Sequence, residues 1–382
     1  MLQSPEAPAD KIDILFVFSP VEFYTRLRMK SFNSETAIAQ ILQPFVDSRT
    51  LAGAVTVVAT TDGIVSFKTI GCADIARGIP MARDTFFWIA SQTKPMTATA
   101  LMMLVDEGKV NVSDPVEKYL PEFKGQMLVV EKDDDHILLR KPSHPITVRE
   151  ILTHTAGLPF RTPVEEPTLD MLPLATAARS YAASPLFSDP GTRYEYANTG
   201  TNTAGRIIEV VSGMPYGEFM QTRLFDPLGM SDTTFVPNEE QIGRLAKTYK
   251  PGAENQGLVE TVVSQLSYPL TNPLRQPMPA GGLFSSAVDL VAFCRMILNG
   301  GELDGRRYLS QDSVREMTRK QTAEAITNEY GYGWDTSNGR FGHGGALATN
   351  MTIDPVRGLI MLYLVQYAGD GSQAREAFFR AV

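Results

Sequence analysis

Only two cysteines, Cys72 and Cys294, and four histidines, His136, His144, His154 and His343, occur in 382 residues. The cysteines stand too far apart in sequence to define a disulfide or a metal knuckle, and both read as small core residues. No histidine pair has metal-ligand spacing and no His-Glu-x-x-His is present, so no metal and no other cofactor is expected. Gly-x-Ser-x-Gly is also missing, which disfavours the conventional α/β-hydrolase route to a reactive serine. No apolar run reaches the ~18 to 20 residues that a membrane span needs. The mostly apolar stretch 14–23 follows Glu6, Asp10 and Asp13 with only Lys11 in support, a poor signal peptide, and this favours the cytoplasm over the periplasm or secretion. Positive charge is in deficit too. The net charge of −8, from 43 acidic and 35 basic residues, argues against nucleic acid or an anionic membrane as partner and suits a small neutral substrate.

What is present is an ordinary globular composition, 43% hydrophobic and 20% charged, long enough for one large domain or two joined lobes. Residues 1–33 read as an N-terminal extension, either a leader or a misassigned start with Met29 as the natural first residue. Residues 34–382 read as a single domain. An amphipathic helix over 34–46, capped by Ser34, precedes β-branched strands at 54–60 and 64–70 joined by Thr61-Asp62-Gly63. A core strand at 86–89 leads to a helix over 92–107 that is apolar all round, with Pro95 in its first turn and Gly108 after its end. The middle of the chain favours helices, among them 148–153, 199–212 and 216–224, and the charged patch around 131–141 reads as a solvated hairpin or loop. After a helix at 287–298, strand-like segments resume at 330–335, 340–342, 348–353 and 359–366. The fold class expected is α+β: one antiparallel sheet flanked by helices, made from 34–110 plus 276–382, with a mainly helical lobe, 111–275, inserted.

Three short patterns carry chemistry. Ser91-Gln92-Thr93-Lys94 puts a hydroxyl and an amine on one helical face, three residues apart. Tyr196-Ala197-Asn198 and His343-Gly344-Gly345 follow. By chance alone the three would arise roughly 0.7, 0.4 and 0.02 times in such a chain, so the set is specific where each member is not. A serine hydroxyl is a poor nucleophile until a neighbour takes its proton, and a lysine in a dry cleft can be neutral enough to do so. A nearby tyrosine can share that work if an ammonium favours its phenolate.

These patterns resemble the serine β-lactamase-like superfamily, in the branch of class C β-lactamases, D-alanyl-D-alanine carboxypeptidases and family VIII carboxylesterases. The likeness extends to ILTHTAGLP (151–159), PGTRYEYANTG (190–200), FDPLGMSDT (225–233), AGGLFSSAVDL (280–290), YGYGW (330–334) and FGHGGALATNMTIDP (341–355). The resemblance implies Ser91 as the acylated nucleophile, Lys94 and Tyr196 as the groups that move its proton, and backbone N–H groups of Ser91 and Ala346 as the oxyanion hole. Which of Lys94 and Tyr196 holds the proton at rest stays open. Asn198 would bond Lys94 or the acyl group, and His343, Gly344 and Gly345 would border the substrate. Penicillin-recognising relatives usually carry Lys-Thr-Gly or His-Thr-Gly where this chain has His343-Gly344-Gly345. The missing threonine hydroxyl weakens carboxylate recognition and tilts the expectation toward short neutral esters, with possible turnover of β-lactams or other amides at the same site.

Blander roles compete at several positions. Ser91 could be only a helix cap, and Tyr194 lies two residues before Tyr196 but lacks an asparagine at the right offset. His154 reads as a buttress of its loop. Phe86, Phe87 and Trp88 read as core, as do Tyr332 and Trp334, although the last two could also border an acyl pocket. The rival functions are a β-lactamase, D-amino-acid peptidase, amidase or acyltransferase on the same groups, and a scaffold without catalysis.

Overall fold

Strands from both ends of the chain meet in one sheet, and the stretch between them supplies most of the helices. The computed structural model describes residues 35–253 and 257–382. The expected leader, the stretch at 14–23, the start at Met29 and the Ser34 cap lie outside the described residues. Helix α1 (Glu35–Asp47) leads into strands β1 (Gly53–Ala59) and β2 (Ile64–Asp74). The Thr60 N–H donates to Gly63 O at 2.8 Å and closes their hairpin where the sequence places it. After β3 (Ile79–Pro80) and β4 (Phe86–Trp88), a short 3₁₀ turn, Ala90–Gln92, runs into α2 (Thr93–Asp106).

The charged patch is the tip of a two-stranded hairpin, β5 (Leu128–Lys132) and β6 (Ile137–Arg140). Helices α3 (Val148–Leu152), α4 (Leu174–Ala183) and α5 (Asn198–Ser212) follow, the first with a full Thr147–Glu150 capping box. Strand β7 (Phe284–Ser286) and helix α6 (Ala287–Leu298) return the chain to the sheet. Strands β8 (Phe341–Gly344), β9 (Asn350–Asp354) and β10 (Leu359–Leu364) and helix α7 (Ser372–Ala381) complete it.

The sheet has six strands in the order β8–β9–β10–β1–β2–β3, with antiparallel neighbours throughout. Every residue of β1 is buried, so helices cover both faces of the sheet. Two expectations need correction. Phe86–Trp88 does not enter this sheet; it pairs with β7 in a separate ribbon that no local pattern announces. The segment 330–335 makes only isolated bridges, because Gly331 packs against the Met317 carbonyl and Gly333 turns at φ +77°. Among the described residues, no helix is long and apolar enough to cross a membrane.

Candidate active site

The ribbon β4–β7 delivers the first site residue. Ile89 N–H donates to Leu283 O at 3.0 Å, and the next residue, Ala90, turns at φ +47°. That conformation costs a non-glycine residue on the order of 1 kcal/mol and survives only where packing enforces it. Here it turns strand into helix and presents Ser91 at the junction. Thr93 holds the corner, its hydroxyl donating to Ala90 O at 2.6 Å and accepting from Leu283 N–H at 3.2 Å.

One turn on, Lys94 is fully buried. Its Nζ lies 3.2 Å from Ser91 Oγ, 2.9 Å from Asn198 Oδ1 and 2.7 Å from Ala280 O. None of these partners is a carboxylate, and burial pushes the Lys94 amine well below the ordinary lysine range. Asn198 opens helix α5, and Asn202, one turn later, accepts from Ala280 N–H at 3.0 Å. Asn202 thereby fixes the residue whose carbonyl faces Lys94. Behind it, Asn202 Nδ2 donates to Tyr181 Oη at 3.0 Å, and Tyr181 Oη donates to Glu165 Oε1 at 2.6 Å. Sequence reading did not find Ala280, Asn202, Tyr181 or Glu165; a backbone carbonyl leaves no residue-type signature.

Tyr196 closes another side. The Lys94 Nζ stands 4.6 Å from its ring centroid. Burial pushes the phenol up to about 12, against a smaller opposing pull from a hydrogen bond with Ser91. Burial disfavours the charged form of the amine beside it as well, which weakens the ammonium's pull toward a phenolate. Tyr194 points elsewhere, its ring packed against His154 and Tyr330.

His343 is brought near, its ring 6.1 Å from that of Tyr196, but does not line the cleft around Ser91. Its Nε2 meets Tyr330 Oη at 2.9 Å and its Nδ1 meets Gly344 O at 2.7 Å, so both nitrogens are occupied. Burial, and secondarily the proximity of Lys94, lowers it to about 4. It is held as a neutral group and borders the polar groove that adjoins Gly344. Gly344, Gly345 and Ala346 do line the opening. Gly345 N–H donates to Thr349 O at 2.8 Å, and Ala348 at φ +62° tightens the turn that presents Ala346.

The cleft so formed has a volume of about 290 Å³. Besides the residues expected there, Trp88, Ala90, Phe160, Gln265, Met278, Ala280 and Gly281 line it, and no lining side chain among the described residues is acidic or basic. Trp88 is thus wall as well as core, with its Nε1–H donating to Gly281 O at 2.8 Å. Tyr332 and Trp334 are buried and take no part in the lining.

The beta-lactamase family model matches residues 38–382. The chain belongs to the beta-lactamase family. A Mycobacterium tuberculosis protein, Rv1367c, is 32% identical over 361 residues, covering 85% of this chain and 88% of its own length. A Salmonella typhimurium protein with a provisional D-alanyl-D-alanine carboxypeptidase name is 26% identical over 327 residues, covering 78% and 73%. Among solved structures, EstCE1, a hydrolase with promiscuous acyltransferase activity, superposes with TM-score 0.71 at 22% identity, covering 94% of this chain and all of that one. Simvastatin synthase (LovD) from Aspergillus terreus gives 0.73 at 20% identity, covering 92% and 96%. These structures share the α+β fold, and family membership makes the protein a serine hydrolase of the beta-lactamase type.

Proposed function

We propose that the protein hydrolyses short-chain, uncharged carboxylic esters through an acyl-serine intermediate, with Ser91, Lys94 and Tyr196 as the reacting groups. The observation that supports the ester reading is the cleft lining, which among the described residues brings no charged side chain to the cleft. A carboxylate-bearing substrate would be desolvated there with no arginine among the described lining residues to meet it.

Lys94 is the resting base in this scheme. A neutral amine has two N–H donors and one lone pair, and its three neighbours are two obligate acceptors and one hydroxyl. The lone pair therefore faces Ser91 Oγ–H. Ser91 Oγ bonds to the ester carbon as its proton passes to Lys94, and the carbonyl oxygen takes the charge against the Ser91 and Ala346 N–H groups. Collapse breaks the carbon–alkoxide bond. The leaving alkoxide takes the Tyr196 proton, which Lys94 replaces, and water then repeats the sequence on the acyl-serine. Burial raises Tyr196 enough to keep it a proton donor at neutral pH.

A second reading, turnover of β-lactams or peptides, draws on a polar groove of about 480 Å³ that also reaches Gly344 and is lined by Arg340 and Arg375. Steady-state kinetics on p-nitrophenyl butyrate and nitrocefin separate the two. The ester reading requires turnover of the butyrate that Ser91→Ala abolishes in a folded protein, and little turnover of nitrocefin. Faster nitrocefin hydrolysis would move the protein to the second reading, and an active Ser91→Ala variant would remove both.

A further inference from the structure

His154 stands just past the C-terminus of α3, at φ +58°. Glycine is the usual residue at such a left-handed cap, because a side chain there adds strain. The histidine that occupies it is buried and is engaged by the two residues on either side of Tyr196. Glu195 N–H donates to His154 O at 2.8 Å, and Ala197 N–H donates to His154 Nδ1 at 3.2 Å. The imidazole lies 4.4 Å from the Tyr196 ring, centroid to centroid, and 4.8 Å from that of Tyr330. Accepting at Nδ1 puts the proton on Nε2, which is buried without a hydrogen-bond partner among the described residues. A residue kept only to end a helix would need neither the ring nor the acceptor nitrogen.

We propose that His154 is a positioning residue for Tyr196. It fixes the backbone on both sides of the tyrosine through one carbonyl and one ring nitrogen, and it fixes the phenol ring by direct contact. The inference rests on the reading of Ser91, Lys94 and Tyr196 as the reacting groups. Its chemistry is geometric: a proton donor displaced by about 1 Å can lose on the order of a hundredfold in rate with little change in ground-state binding.

The test is a double-mutant cycle on p-nitrophenyl butyrate with wild-type enzyme, His154→Gly, Tyr196→Phe and the double variant, each checked for folding by circular dichroism and melting temperature. Glycine keeps the left-handed backbone and removes the ring. His154→Gly is expected to lower kcat about a hundredfold with KM within about twofold, and to cost less than about threefold more once Tyr196 is phenylalanine. His154→Asn, which tolerates the same backbone and sets Oδ1 in the place of Nδ1, is expected to recover at least about tenfold of the loss. With Ser91 essential, an equal fall of kcat in both backgrounds, or an asparagine variant no better than glycine, overturns the proposal and leaves the esterase reading standing. Turnover retained in Ser91→Ala overturns that reading and this inference with it. If His154→Gly yields no folded protein, His154→Gln carries the same cycle to the same two outcomes.

Discussion

The two sides of the cleft are built from different materials. On one side, Ser91 and Lys94 stand at the start of α2 among side chains and a carbonyl that account for every hydrogen-bonding position of the amine. On the other, β8 and its following turn offer backbone alone, at Gly344, Gly345 and Ala346. The polar side can move a proton and has no substitute for its groups. The backbone side can hold an oxyanion and shape the opening, and its tolerance of change depends on what stands behind each glycine. On the proposed reading, proton transfer belongs to one wall and oxyanion binding to the other.

The comparison is broken most severely at Lys94. Lys94→Met should lower kcat/KM for p-nitrophenyl butyrate by about a thousandfold or more, since the proton of Ser91 then has no buried acceptor. The same burial has a consequence for stability. The amine's folded value lies well below 10.5, so the unfolded chain binds one proton more than the native one between the two values. Stability linked to Lys94 is therefore fully present above the unfolded value and is lost as pH falls through the folded one. Denaturant unfolding of wild type and Lys94→Met across pH 7 to 10 should show wild type gaining on the variant as pH rises. A constant difference would mean that Lys94 is charged in the native protein and is not the resting base.

On the backbone wall the larger effect is expected at Gly345. A Cβ there would stand 2.6 Å from Ile89 O and 2.1 Å from Thr349 Oγ1. The threonine can rotate, but the Ile89 carbonyl belongs to the turn that presents Ser91. Gly345→Ala should destabilise by about 1–3 kcal/mol, as overpacking does, and should slow turnover because the strain is relieved at the nucleophile. Melting temperature and kcat on the same variant check it; an unchanged melting temperature would show that the turn has slack.

Much of the polar wall could be read from residue types alone. Ser91, Lys94, Tyr196 and Asn198 form recognisable local patterns, and the structure brings all four together. The sheet was equally legible, because β-branched runs and a Thr-Asp-Gly turn are local signals. What could not be read depends on direction or distance. His343 and Gly344 are neighbours in sequence, but the imidazole is tied to Tyr330 and to the Gly344 carbonyl, so Gly344 borders the Ser91 cleft and His343 only the adjoining groove. Ala280 acts through its carbonyl, and Asn202 orients it from a helix far away in sequence. Trp88 joins the wall because β4 pairs with Phe284–Ser286, far away in sequence, instead of entering the main sheet. The cap at His154 offered a residue name without its backbone angle, and the angle is what makes the side chain informative.

Gly344 should give the smallest effect and the finest test of how the walls divide their work. A Cβ there would meet Thr349 O at 3.7 Å and Asn350 Nδ2 at 3.8 Å, ordinary contacts that nothing must move to accept. Threonine also suits a strand. Gly344→Thr should therefore fold within about 1 kcal/mol of wild type and keep ester turnover within a few-fold, since the groups around Lys94 are untouched. Its hydroxyl would enter the cleft next to the groove that holds Arg340 and Arg375. One added hydrogen bond to a charged carboxylate is worth about 1.5 kcal/mol or more, so the ratio of nitrocefin to butyrate turnover should rise about tenfold. If the ratio stays fixed while the protein remains folded, the absent hydroxyl does not set the proposed preference for neutral esters, and that proposal rests on the lining around Ser91 unaided.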